Sequence, residues 1–205
     1  MFNEKRDTGL ATSACVRRVH AKNRRTVFTN VWAGSYSTYA LTESGDVLVC
    51  GLNNYNQLGV AKGQLFYTLV PSPGFTGKEW ASIVPGQHHA VALDTSGKVF
   101  AIGRVEYGRL GLGKAVTEDA KVPTVVPALE KTKVVDVGAG TAVSFAVTSE
   151  GDVFSWGMGT NGQLGHEGDE DAWEPKKMLG KQLETRKVVL ATGGGQHTQL
   201  LAVEK

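Results

Sequence analysis

The chain has 205 residues, a formal net charge of +2 and 26 glycines, a glycine content well above the usual ~7%. With so small a net charge, nucleic-acid binding cannot be inferred from the overall charge of the chain. The two cysteines form no CxxC pair. No apolar run approaches the ~18 residues of a membrane span, and no signal-peptide pattern opens the sequence. We therefore expect a soluble intracellular protein with no membrane partner.

Residues 1–26 precede the repetitive part of the sequence and form a basic lead-in segment. It contains a basic run with Arg17, Arg18, Lys22, Arg24 and Arg25. Such a run is either a solvated arm or a contact for DNA phosphates. A phosphate contact would depend on salt and would not read the base sequence. The sequence leaves both interpretations open.

From residue 27 onward the sequence repeats with a long period. The leading glycines of the repeats are Gly34, Gly86, Gly140 and Gly194, separated by 52, 54 and 54 residues. The units span about 27–82, 83–136 and 137–190, with a half unit at 191–205. Self-similarity at one long period is typical of propeller and solenoid architectures.

Each full unit contains two short segments of alternating polarity joined by a glycine turn. The predicted strands are Thr38–Thr42 and Asp46–Cys50, Ala90–Asp94 and Val99–Ile102, and Ser144–Thr148 and Val153–Trp156. Glycine in the turn supplies the positive φ that a tight hairpin needs. A leucine at a matched position in each unit is predicted to pack between units, and these leucines are Leu58, Leu110 and Leu164.

Proline-bearing segments follow the leucines and suit edge strands or the loops that lead into them. Only Pro175–Leu183 has a composition that allows a helical turn or two. Three to four short strands per ~50 residues, with glycine at each corner, predict an all-β protein of the β-propeller type. Because three and a half repeats are too few for a closed ring, the chain is expected to be a segment of a longer propeller or to assemble with blades supplied by another chain.

The repeat motif resembles that of the family named for the regulator of chromosome condensation. The matching segments are GRVEYGRLGLG (103–113), WGMGTNGQLG (156–165), DEDAW (169–173), GKQLE (180–184) and GGQHT (194–198). The resemblance covers residues 27–205 and corresponds to the C-terminal half of the chromosomal members. It implies a seven-bladed propeller that acts in the nucleus as the guanine-nucleotide exchange factor for the small GTPase Ran while bound to nucleosomes.

The sequence contains no Ser-His-Asp order, P-loop, HExxH motif or zinc-ligand spacing. We therefore expect no covalent catalysis, no cofactor and no metal. An exchange factor needs none, because it acts by binding the nucleotide-free GTPase better than the loaded one.

Two adjacent histidines are the most informative polar residues. His89 recurs in register with Ser37, Val143 and His197, which indicates a structural role within the blade. His88 is in register with Tyr36, Ala142 and Gln196, so a histidine there is peculiar to one repeat and suits contact with a partner; the alternative is an incidental loop histidine. The resemblance implies a Ran-binding set of His88, His197, Asn56 and Gln87, and for His197 the structural and binding interpretations compete.

The wedge that the family inserts beside the nucleotide of the GTPase belongs to an earlier blade and has no counterpart in this sequence. The resemblance therefore implies that this chain needs the preceding blades for exchange. The alternative function is a non-exchange interaction propeller, since similar repeats occur in large ubiquitin ligases and in a plant ultraviolet receptor that uses clustered tryptophans. The four scattered tryptophans argue against the receptor, and no residues support a hydrolase.

Overall fold

The computed structural model describes residues 26–61 and 63–205, which form fourteen β-strands and one short α-helix. The strands are β1 (Phe28–Ala33), β2 (Ser37–Thr42), β3 (Val47–Leu52), β4 (Leu65–Pro71), β5 (Trp80–Pro85), β6 (His89–Asp94), β7 (Val99–Gly103), β8 (Ala120–Val125), β9 (Val134–Ala139), β10 (Val143–Thr148), β11 (Val153–Gly157), β12 (Ala172–Lys177), β13 (Arg186–Gly193) and β14 (Thr198–Glu204). The helix is α1 (Lys181–Glu184), and 3₁₀ turns lie at Pro73–Phe75, Glu106–Gly108 and Pro127–Leu129.

The strands form three four-stranded antiparallel sheets and one hairpin. Each sheet follows chain order, β1 to β4, β5 to β8 and β9 to β12, and β13 pairs with β14. This meander is a propeller blade, so the predicted all-β propeller fold is confirmed. The predicted strands lie where the sequence placed them, and the turn glycines Gly45, Gly97 and Gly151 have φ of 85°, 91° and 86°.

The first strand of each blade packs beside the first strand of the next, so β1, β5, β9 and β13 form the inner row. The fourth strands lie at the opposite, outer edge of each sheet. Pro123 lies within β8 and Pro175 within β12, and a missing N–H on an outer edge breaks no ladder bond. The edge-strand prediction is confirmed. Of the segment Pro175–Leu183, the first residues belong to β12, which continues to Lys177, and the helical turn that the composition allows is α1.

Hydrophobic contacts between blades form the core. β6 and β10 are buried along nearly their whole length, because neighbouring blades cover both of their faces. Leu58, Leu110 and Leu164 are each at most 2% exposed and lie in the two apolar clusters that join the blades. Their predicted packing role is confirmed.

The antiparallel meander places two kinds of connection at the same edge of the blades. The turns between first and second strands and the long loops between third and fourth strands lie there, and we call this the upper edge. It comprises the turns 34–36, 86–88, 140–142 and 194–197 and the loops 53–64, 104–119 and 158–171. The turns between second and third strands and the links between blades lie at the lower edge.

Candidate functional site

The leading glycines let the turns of the upper edge stack closely from blade to blade. A Cβ at Gly34 would lie 2.6 Å from the carbonyl oxygen of Gly86, and one at Gly140 would lie 2.7 Å from that of Gly194. The backbone N–H of Gln87 donates to the carbonyl oxygen of Thr141 (3.4 Å). The backbone N–H of Thr141 in turn donates to the carbonyl oxygen of Gly194 (3.0 Å). Glycine recurs at this position because any side chain would force the turns apart.

The loop 53–64 is held by two buried amide side chains. Asn53 accepts from the backbone N–H of Leu58 (3.0 Å) and donates to the carbonyl of Val60 (2.9 Å). Gln57 accepts from the backbone N–H of Tyr55 (2.9 Å). These bonds fix Tyr55 and Asn56 at the upper edge, where Tyr55 contacts His88 and Arg104 of the second blade.

Asn56 has a left-handed backbone conformation, with φ of 57°. The equivalent residues of the next two loops are Gly108 and Gly162, with φ of 73° and 67°. Asparagine is one of the few non-glycine residues that adopt this conformation readily. Backbone geometry therefore explains why Asn or Gly occupies the position, and Asn56 additionally presents a half-buried amide.

His88 lies between two tyrosines of the first blade. Its ring centroid is 5.5 Å from that of Tyr36 and 5.0 Å from that of Tyr55, in an edge-to-face contact with the latter. Burial, followed by the charges of Arg109 and Arg104, lowers the pKa of His88, so its imidazole is neutral at pH 7. The Nδ1 atom of His88 is buried and has no hydrogen-bond partner among the described residues.

Two arginines flank this histidine. The Arg104 guanidinium lies over the Tyr55 ring, 4.7 Å from its centroid, and forms an ion pair with Glu106. Arg109 is only 2% exposed, and its Nε donates to the carbonyl of Glu106 (2.8 Å). Burial and the nearby Arg104 lower the pKa of Arg109.

His89 has the structural role that its recurrence predicted. It is fully buried, and its Nε2 lies 2.9 Å from the hydroxyl oxygen of Ser144 in the third blade. Because that hydroxyl donates its proton to the carbonyl of Arg109 (2.7 Å), it accepts from the Nε2–H of His89. The histidine thus ties two blades together.

His197 occupies the same place in the last hairpin, with its ring against Gly194 as the ring of His89 lies against Gly86. It is exposed, because no further blade covers it in the part of the chain that the structure describes. Its position in the hairpin is that of the structural residue His89.

The structure places His88 at the junction of the first two blades, against Tyr55, which is next to Asn56 in the loop. Gln87 lies in the same turn as His88 but bonds through its backbone to Thr141 of the third blade, and His197 lies two blades further along the same edge. The predicted DNA-contacting residues Arg17, Arg18, Lys22, Arg24 and Arg25 lie outside the described residues. Sequence reasoning missed Tyr36, Tyr55, Arg104 and Arg109. The signal that identifies Arg104 is the same as for His88: its repeat equivalents are Leu52 and Met158, so the charge is peculiar to one blade.

Within residues 26–61 and 63–205 no helix is long and apolar enough to cross a membrane. The same residues contain no group of three or more His, Cys, Asp or Glu side chains placed to hold a metal ion.

Stacked four-stranded blades with their loops gathered at one edge define a segment of a β-propeller. The chain belongs to the RCC1-like domain family, whose sequence profile matches residues 3–200.

Known proteins of this family resemble the chain at the level of sequence. It is 43% identical to the regulator of chromosome condensation of Xenopus laevis over 194 residues, covering 94% of this chain and 45% of that protein. It is 44% identical to the Homo sapiens regulator, covering 87% and 42%. Identity to the Homo sapiens E3 ubiquitin-protein ligase HERC2 is 34%, covering 79% of this chain and 3% of the ligase.

A crystal structure of Prp20p from Saccharomyces cerevisiae has the same fold. Its TM-score is 0.76 at 23% identity, with 87% of this chain and 44% of that chain covered. The chain therefore spans less than half the length of these regulators and of Prp20p.

Proposed function

We propose that the chain is the GTPase-facing part of a guanine-nucleotide exchange factor for a Ran-type small GTPase. The observation that carries the proposal is the 43–44% identity to two regulators of chromosome condensation over most of the chain. The crystallographic report on Prp20p describes its binding to Gsp1p and histones, which supports a GTPase and chromatin as partners.

The upper edge is the proposed binding surface. It carries His88, Gln87, Asn56 and His197 in the turns and loops of one edge. Exchange requires that the propeller completed by the preceding blades bind the nucleotide-free GTPase more tightly than the loaded one, because that difference in binding free energy drives nucleotide release. No covalent catalysis is involved.

We place the protein at chromatin in the nucleus. In this proposal the contacts to DNA phosphates come from the basic lead-in segment, through Arg17, Arg18, Lys22, Arg24 and Arg25. Neutralising them to Gln should weaken binding to nucleosomes similarly for any DNA sequence and reduce its salt dependence. Unchanged nucleosome affinity in this variant would contradict the assignment of the basic segment.

Release of labelled GDP from the GTPase tests exchange. We expect little acceleration by the chain alone and clear acceleration when the remaining blades, taken from the regulator of Xenopus laevis, are added in trans. His88→Ala should lower the accelerated rate, whereas Lys187→Ala, at the lower edge, should not. Acceleration by the chain alone would show that the preceding blades are dispensable for exchange.

The identity to HERC2 and to HERC5 of Homo sapiens favours a second candidate, a propeller that binds a partner without exchanging its nucleotide. A folded chain that accelerates GDP release in neither arrangement would support this candidate and contradict exchange.

A further inference from the structure

The junction between the first two blades carries an aromatic and cationic cluster of Tyr36, Tyr55, His88 and Arg104. At the next junction the residues equivalent to Tyr55 and His88 are Tyr107 and Ala142, and at the third they are Asn161 and Gln196. The cluster is therefore not required by blade packing, because the same fold forms the other two junctions without it.

The cluster has an excess of positive charge. Arg104 and Arg109 supply two guanidinium groups. Among the described residues the one ion pair to either is that of Arg104 with the Glu106 carboxylate, since Arg109 donates to the backbone carbonyl of Glu106. The Arg104 side chain is 29% exposed, so its N–H groups are accessible, while stacking on Tyr55 restricts the plane of its guanidinium. A guanidinium held in this way is suited to a carboxylate, which it binds through parallel N–H···O bonds.

His88 adds a polar group that the chain itself does not satisfy. Its Nδ1 is buried without a partner, and an unsatisfied buried polar atom has a desolvation cost. The imidazole lies between the rings of Tyr36 and Tyr55, beside Arg104. A ligand bound on Arg104 would thus meet a neutral imidazole and aromatic edges that exclude water.

We propose that this cluster docks an acidic side chain, Asp or Glu, from the surface of the GTPase partner, with Arg104 as the principal donor. This inference rests on the proposed function, because it names the chemistry of the GTPase at the same edge. Tyr55 orients the Arg104 guanidinium. In the free protein this guanidinium forms an ion pair with Glu106, and the partner's carboxylate replaces Glu106 on binding.

The test is the affinity of the protein for the nucleotide-free GTPase, measured by calorimetry for Arg104→Gln and for Arg186→Gln. Arg186 is the control, because it is exposed at the lower edge. Loss of a charge-assisted hydrogen bond should weaken binding at least about tenfold in Arg104→Gln. Arg186→Gln should leave the affinity unchanged, and circular dichroism should show both variants folded.

The affinity of Glu106→Gln for the nucleotide-free GTPase distinguishes two roles of Arg104, binding of a carboxylate from the partner and support of its own loop through the ion pair with Glu106. Removing the competing carboxylate should leave binding at least as tight as in the unsubstituted protein, and tighter at low salt. If Arg104 and Glu106 only brace the loop, both substitutions should weaken binding alike, which would overturn the proposal.

The two proposals fail in different ways. Tight binding by the unsubstituted protein together with unchanged binding by Arg104→Gln would overturn the carboxylate site and leave the GTPase partner in place. Absence of binding by the unsubstituted, folded protein would overturn the partner and the docking site with it.

Discussion

His89 gives the fold a stability that depends on pH. Burial, and then the charge of Arg109, lowers its pKa from 6.5 to about 3 in the native state. In the unfolded chain the His89 imidazole takes up a proton as the pH falls below its ordinary pKa of 6.5, whereas in the native state it stays neutral down to about pH 3. The contribution of His89 to the free energy of unfolding is therefore full above pH 6.5 and is lost as the pH falls toward 3. The Nε2–H of His89 can donate to Ser144 in either protonation state, so the loss of stability comes from charging a buried ring beside Arg109.

We expect the free energy of unfolding in urea to fall by about 1 kcal/mol between about pH 7.5 and about pH 5.5 because of His89. The variant His89→Gln should be less stable at the higher pH but should lose less stability on acidification. His88 and His166, whose pKa values are also lowered by burial, remain in both proteins and act in the same direction. Equal pH dependence in the two proteins would contradict the assignment to His89.

Gly34 tests the close stacking of the upper-edge turns. Its Cβ position lies 2.6 and 2.7 Å from two backbone carbonyl oxygens, which cannot move independently of the neighbouring blade. Gly34→Ala should therefore lower the free energy of unfolding by about 2 kcal/mol. Gly180→Ala is the matched control, since no atom lies within 4 Å of its Cβ position, and it should change stability by less than about 0.5 kcal/mol. Similar losses in both would contradict the steric explanation.

Among the elements, the loop that contains Asn56 is the one where backbone conformation and a proposed GTPase contact depend on the same residue. Asn56→Gly keeps the left-handed conformation available and should leave the thermal midpoint unchanged, whereas Asn56→Val should destabilise the fold by about 1 kcal/mol or more. If the Asn56 amide contacts the GTPase, Asn56→Gly should still weaken binding. Full binding by Asn56→Gly would restrict this residue to a conformational role.

The sequence predicts the strands well because each blade is encoded by a short pattern of neighbouring residues. Alternating polarity, a turn glycine with positive φ and one interior leucine per unit mark every blade. Near Pro175 the sequence allowed a helical turn or two without fixing its place. Pairing of β12 with β11 takes Pro175 into an outer edge strand, which proline also suits, and the turn forms after it at α1.

The site is less predictable, because it forms between residues that are distant in sequence. Register between repeats identified His88, but Tyr36 and Tyr55 reach it from the preceding blade. Their approach depends on how one blade stacks on the next, which no local pattern encodes. The charge of Arg104 was visible in the sequence, whereas its stacking on Tyr55 was not.

At the scale of the whole molecule, the first and last blades expose apolar side chains. Val31 and Tyr67 are 62% and 70% exposed on the first, and Leu201 and Val203 are 60% and 50% exposed on the last. Exposed apolar strands favour pairing with other chains. We expect sedimentation to show self-association that rises with concentration and is reduced in the double variant Leu201→Glu, Val203→Glu. A double variant that associates as the unsubstituted chain does would contradict a role for this strand.

In the proposed function, the upper edge binds a small GTPase in its nucleotide-free state, with His88 in the contact. The most direct measurement compares the affinity of the chain, with the preceding blades added in trans, for nucleotide-free and GDP-loaded Ran, with and without His88→Ala. We predict tighter binding to the nucleotide-free form and a selective loss of that binding in the variant. Equal affinity for both forms, or an unchanged affinity in His88→Ala, would contradict the account.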